Sequence, residues 1–99
     1  MPKKKHFMTR DARELAEFLG LSPAEGAEMA FRTELNEAII GVVKQKGVTH
    51  AHLARLAGTS RPRITNLLNW NTGDISTDLM LRVLAALGYR VDLKISRAA

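Results

Sequence analysis

Apolar residues recur at helical spacing along most of this chain and switch to strict alternation only near its end. Ala12, Leu15, Phe18 and Leu19 share one helical face, with Thr9 or Asp11 placed to cap the helix and Gly20 to end it. The stretch "SPAE" then supplies a second start. Ser22 is an N-cap, Pro23 suits the first helical position, and Glu25 completes a capping box. Met29, Phe31, Leu35, Ala38, Ile39, Val42 and Val43 carry the pattern on to a stop at Gly47. This predicts one long helix with Met29 and Phe31 in the core. Gly26 weakens it by about 1 kcal/mol relative to alanine.

Two shorter helices follow. Thr49 caps His50 to Ala57 and Gly58 ends it; Ser60 caps Arg61 to about Asn69, with Pro62 in the first turn, where its missing N–H leaves no bond unmade. "NTGD" reads as a loop. Ser76 caps a further helix through Leu87, with Ile75 and Met80 set as a hydrophobic staple and Gly88 closing it. Tyr89, Val91, Leu93 and Ile95 then alternate with Arg90, Asp92 and Lys94, the signature of a half-buried strand. Such a strand needs a ladder partner. The candidates are the same strand in a second copy or the short His6-Phe7-Met8 segment. The expected fold is all-α: a five-helix bundle with a short C-terminal β-strand at 89–95. Residues 1–8 form a flexible basic arm ahead of one domain over 9–99.

Composition narrows the class. The 99 residues suit one domain, and 45% hydrophobic with 25% charged content is ordinary for a soluble globular protein. With no cysteine, disulfides and cysteine-based zinc sites are excluded, and an intracellular, cytoplasmic setting is expected. The start MPKKKHFMTR has charge but no following apolar run, so no signal peptide is expected there, and no stretch is long enough to span a membrane. The net charge of +5 favours a polyanionic partner. Its distribution matters more than its size. Acids concentrate between Asp11 and Glu37, whereas Lys44 to Trp70 contains none.

The basic stretch "HLARLAGTSRPRITNLLNW", His52 to Trp70, holds three arginines. A helix-turn-helix crosses two short helices steeply over a tight turn. Leu53, Ile64 and Leu67 must then meet in a small core, Ala54 must be small under the crossing helix, and Gly58 must supply a left-handed turn. All are present at the right separations. The stretch from about Arg32 to Leu87 resembles the helix-turn-helix of the lambda-repressor, Cro and XRE class of regulators. More narrowly, "SPAE…FRTEL", "ISTDLMLRVLAALG" and "YRVDLKI" resemble small HigA-like antitoxins, which are encoded beside ribosome-dependent RNase toxins. The chain departs from the class pattern at three places. Thr59 stands where an aliphatic residue is commoner, His50 where a phosphate-contacting glutamine is frequent, and Pro62 at a position often used for base contact.

The resemblance implies that Arg61 to Asn69 is the recognition helix, its exposed N-terminal face entering the major groove. Arg61 and Asn66 are the implied base readers, since arginine matches guanine O6/N7 and asparagine matches adenine N6/N7. Pro62 offers only shape or apolar contact. Ser60 and Thr65 contact phosphate or base, and Arg63, His50, Asn69 and Asn71 clamp the backbone. Thr49 and Ser60 mark helix N-termini that favour phosphate. Trp70 is expected to be a core lid at the end of its helix. The alternating residues Tyr89, Val91, Leu93 and Ile95 are the expected dimer contact.

These residues exclude several chemistries. No paired carboxylates, phosphate-cradling glycine loop or activated nucleophile is recognisable, so the chain is not expected to be an enzyme. His50 and His52 lie two apart on a helix and point away from each other, so no metal is expected, nor any cofactor. The expected partners are double-stranded operator DNA of palindromic form, a second copy of the chain, and an RNase-type toxin whose own basic charge would suit the acids of the N-terminal half. The expected function is a DNA-binding repressor that autoregulates its operon as an antitoxin. A protein-interaction module with secondary DNA binding, and a regulator with no toxin partner, are the alternatives.

Overall fold

The computed structural model describes Glu14 and residues 17–97. The basic arm, the His6-Phe7-Met8 segment and most of the first predicted helix lie outside the described residues. Four helices have defined bounds: α1 Pro23–Lys46, α2 His50–Ala57, α3 Arg61–Leu68 and α4 Thr77–Ala86. Glu14, Glu17 and Phe18 are also helical, ahead of a turn at Leu19 and Gly20. The chain divides into two units between Glu34 and Leu35.

In the first unit the capping box forms as its residues dictate. The Glu25 amide donates to Ser22 Oγ at 3.1 Å, and the Ser22 amide donates to Glu25 Oε1 at 2.9 Å. The Ser22 amide and then its hydroxyl hold the Glu25 carboxyl below the usual carboxylate range. The Gly26 amide keeps its bond to the Ser22 carbonyl at 2.8 Å, so this glycine does not interrupt α1. Phe31 departs from its expected core position, with 37% of its surface exposed, while Met29 is half-buried.

The second unit is built on one apolar cluster. Leu35 and Ile39 of α1 join Leu53, Ala54 and Ala57 of α2, Ile64 and Leu67 of α3, and Ile75, Leu79, Met80, Val83, Leu84 and Leu87 around α4. Burying each large side chain stabilises by about 1.5–3 kcal/mol. α2 packs on both α3 and α4. Ile75 and Met80 are both buried, at the positions required of a staple across Ser76, whose hydroxyl accepts from the Leu79 amide at 3.1 Å. One polar side chain sits among these apolar ones. Asn36 is 1% exposed, and neither its Oδ1 nor its Nδ2 has a hydrogen-bond partner. An unsatisfied buried amide costs about 1–3 kcal/mol.

The fold therefore corrects the expected five-helix bundle with a C-terminal strand. Among the described residues there are four bounded helices and no strand. Tyr89 to Arg97 runs without regular structure. Tyr89, Val91, Leu93 and Ile95 are 46%, 39%, 79% and 84% exposed. The physical reason is the missing ladder: alternation sorts side chains onto two faces, but a strand exists only where a neighbour pairs its amides and carbonyls. The Arg90 Nε–Asp92 Oδ1 ion pair at 3.0 Å lies in open solvent and adds little.

Candidate nucleic-acid interface

The interface is assembled by the reversal between α2 and α3. Thr49 Oγ1 accepts from the His52 amide at 3.1 Å and starts α2. Gly58, at φ 71° and ψ 41°, ends it in the left-handed region, and the Thr59 amide returns to the Ala54 carbonyl at 2.9 Å. Ser60 Oγ then accepts from the Arg63 amide at 3.3 Å and starts α3. Leu53, Ile64 and Leu67 are fully buried, and Ala54 is 4% exposed. The apolar pairs thus fix the crossing while the caps fix where each helix begins.

Burying Ile64 and Leu67 turns the opposite face of α3 outward. Pro62, Asn66 and Asn69 share that face at helical spacing and are exposed. Arg61 lies on one flank and Arg63 on the other, both exposed. Each flank is tied to a neighbouring element. Arg63 Nη1 donates to the Asp74 carbonyl at 3.2 Å, joining α3 to the loop that follows it. His50 Nδ1 and Thr65 Oγ1 lie 2.8 Å apart and join the start of α2 to α3. Both His50 and Thr65 are half-buried, whereas Thr49, Ser60 and Asn71 are exposed. The Arg61 guanidinium has no protein partner among the described residues.

The far end of α3 closes in a Schellman motif. The Asn71 amide donates to the Asn66 carbonyl at 2.8 Å, and the Trp70 amide to the Leu67 carbonyl at 3.2 Å. The left-handed position in this motif is normally glycine, yet here it is Trp70 at φ 62°. Such a conformation costs a bulky residue on the order of 1–2 kcal/mol. Trp70 is also 51% exposed, so it is not the expected core lid. The turn brings Asn71 Nδ2 to 3.5 Å from Asn66 Oδ1, beside the exposed face.

The structure thus gathers Ser60, Arg61, Pro62, Arg63, Thr65, Asn66 and Asn69 on or beside one helix, and brings His50 and Asn71 to it through hydrogen bonds. Tyr89, Val91, Leu93 and Ile95 belong to the terminal segment and not to this surface. Sequence reasoning missed three contacts: His50 with Thr65, Arg63 with Asp74, and Asn66 with Asn71. The last had a signal only in the Schellman spacing, which a tryptophan in place of glycine concealed. Electrostatically the surface is one-sided. No acid falls between Lys44 and Trp70. His52 Nδ1 is met by Arg55 Nη2 at 3.1 Å, and Lys46 Nζ lies 5.8 Å from the centroid of the Tyr89 ring. Among the described residues no three His, Cys, Asp or Glu side chains form a metal-binding group, and no helix is long and apolar enough to cross a membrane.

A family of proteins described as a helix-turn-helix domain matches residues 17–96. No curated protein and no solved structure matches the chain. Helix-turn-helix domains place their second helix in the DNA major groove. The capped, glycine-turned pair α2 and α3 and its acid-free surface are the parts such a domain needs, and with a match over most of its length the chain belongs to the helix-turn-helix domain family, a DNA-binding class.

Proposed function

We propose that the chain is a sequence-specific repressor of the XRE type, with α3 as its recognition helix. The observation that carries this reading is the exposed α3 face, held outward by buried Ile64 and Leu67 and flanked by an Arg61 guanidinium with no partner among the described residues. On this reading Arg61 and Asn66 read base edges, and Pro62 contributes shape. Thr49, His50, Ser60, Arg63, Asn69 and Asn71 hold phosphates. A single short helix reads few base pairs. The working unit is therefore a homodimer on a palindromic operator with half-sites about 34 Å apart. Its contact is made by the exposed side chains of Tyr89, Val91, Leu93 and Ile95.

The test is selection of duplexes from a random pool by the full chain. Enrichment of a two-fold-symmetric site, bound at least tenfold tighter than random duplex, is the expected result. Equal affinity for every sequence removes the repressor role.

The antitoxin setting is a second reading. The exposed acids Glu25, Glu28, Glu34 and Glu37 favour it, since they would suit a basic RNase-type toxin. Co-expression with the neighbouring reading frame should yield a salt-sensitive complex. Failure of the two products to co-purify at low salt argues for a regulator without a toxin.

A further inference from the structure

We propose that Thr65 is a positioning residue. Its hydroxyl donates to His50 Nδ1 and so fixes the imidazole proton on Nε2, the nitrogen that meets a DNA phosphate. The inference rests on the reading of this surface as a DNA-binding one.

The bond spans two helices, 15 residues apart in sequence, at 2.8 Å in a partly buried setting. A neutral imidazole carries one N–H, and a hydroxyl has one proton to give. Two arrangements fit the distance. If Nδ1–H donates to Oγ1, the hydroxyl proton needs another acceptor, which for a helical threonine is normally the carbonyl one turn back. Thr65 makes no such bond: among the described residues its hydroxyl has His50 as its one partner. If the hydroxyl donates to Nδ1, its own proton is satisfied within the protein and the ring proton lies on Nε2, where a phosphate can accept it. Nε2 has no protein partner among the described residues.

A phosphate only accepts hydrogen bonds, so the Nε2–H form of the ring binds it and the alternative tautomer presents a lone pair to it. Thr65 has no second proton to offer DNA. Its contribution runs through His50. The His52 ring differs: its Nδ1 is met by an exposed arginine of the same helix, which leaves α3 unaffected.

Long-range proton–nitrogen correlation spectra of the imidazoles, recorded at about pH 8, test the tautomer without DNA. Wild type and Thr65→Ser should show one His50 tautomer with the proton on Nε2. Thr65→Val, of similar shape but without the hydroxyl, and Thr65→Ala should show a mixture. On the selected duplex and on random duplex alike, Thr65→Val should bind about tenfold more weakly, and Thr65→Ser should restore wild-type affinity. A wild-type proton on Nδ1, or an unchanged tautomer in both Thr65→Val and Thr65→Ala, overturns the proposal. So does a Thr65→Val loss confined to the selected duplex, because Thr65 would then touch a base. If the wild type binds neither duplex, the DNA reading falls while the spectra still decide the tautomer.

Discussion

The segment from Thr49 to Asn71 and the segment from Tyr89 to Arg97 both carry an amphipathic pattern, yet only the first is folded into regular elements. In the first, every element boundary is made locally. Thr49 and Ser60 each accept one of the free first-turn amides of α2 and α3, Gly58 turns the chain, and Asn71 closes the last turn. Helical backbone bonds are internal to the element, so the apolar stripe needs only something to pack on, and α4 with the second half of α1 supplies it. In the second segment the backbone bonds must come from elsewhere. Among the described residues its backbone is tied at its start, where the Tyr89 amide donates to the Leu84 carbonyl at 2.9 Å and finishes α4. Beyond it, exposure reaches 79% at Leu93 and 84% at Ile95. A pattern thus decides which faces are apolar, whereas a fold also needs partners for the backbone.

The strongest way to break this comparison is through the core of the hairpin. Leu67 is fully buried where α3 crosses α2. Leu67→Ala should destabilise by about 2–5 kcal/mol in urea unfolding, from lost transfer energy and the cavity left behind. A cost under about 1 kcal/mol would mean that the α2–α3 crossing can collapse around the gap, and that its specificity lies elsewhere.

The next effect is on binding. Arg61→Ala should lose about 1–3 kcal/mol on the selected duplex and relax the preference at one base pair, with little change on random duplex. Arg63→Ala, which also frees the Asp74 carbonyl, should weaken both duplexes alike. Equal losses for Arg61→Ala on both duplexes would move Arg61 into the phosphate group with Arg63.

A smaller effect tests the boundaries themselves. Ser60→Ala removes the acceptor for the Arg63 amide and should cost about 1 kcal/mol of stability. Ser60→Asp keeps an acceptor and should restore that stability, although its charge should weaken DNA binding. If Ser60→Ala unfolds at the wild-type urea midpoint, the apolar crossing alone sets where α3 begins.

These regions also differ in how much of them the sequence displays. The caps at Ser22, Thr49, Ser60 and Ser76 and the turn at Gly58 were legible because each depends on residues within four positions of one another. The outward face of α3 followed from the spacing of Ile64 and Leu67. Three kinds of feature stayed hidden. The His50–Thr65 and Arg63–Asp74 bonds join elements whose approach is set by packing. Asn36 is buried because it lies on the same side of α1 as Leu35 and Ile39, although its chemistry reads as surface. Phe31 and Trp70 are exposed despite their apolar bulk, which is permitted because much of any folded surface is apolar. The alternation over 89–95 is real, and what it lacks is a neighbour to pair its backbone.

The smallest expected effect on stability falls in the terminal segment, where it separates folding from assembly. Leu93 and Ile95 make no part of the buried cluster. Leu93→Ser with Ile95→Ser should therefore leave the unfolding free energy within about 0.5 kcal/mol of wild type, provided unfolding is measured at dilutions where self-association does not contribute. The same variant should sediment as a monomer at concentrations where the proposed wild-type dimer forms. It should also lose affinity for the two-fold duplex while keeping its affinity for a single half-site, because the recognition helix itself is untouched. A stability loss above about 1 kcal/mol at high dilution would place these side chains in the core and end the contrast between the two segments. Unchanged stability with an unchanged dimer would keep the contrast and remove Tyr89, Val91, Leu93 and Ile95 from the dimer contact. The exposed Leu81 on α4 would then be the next side chain to replace.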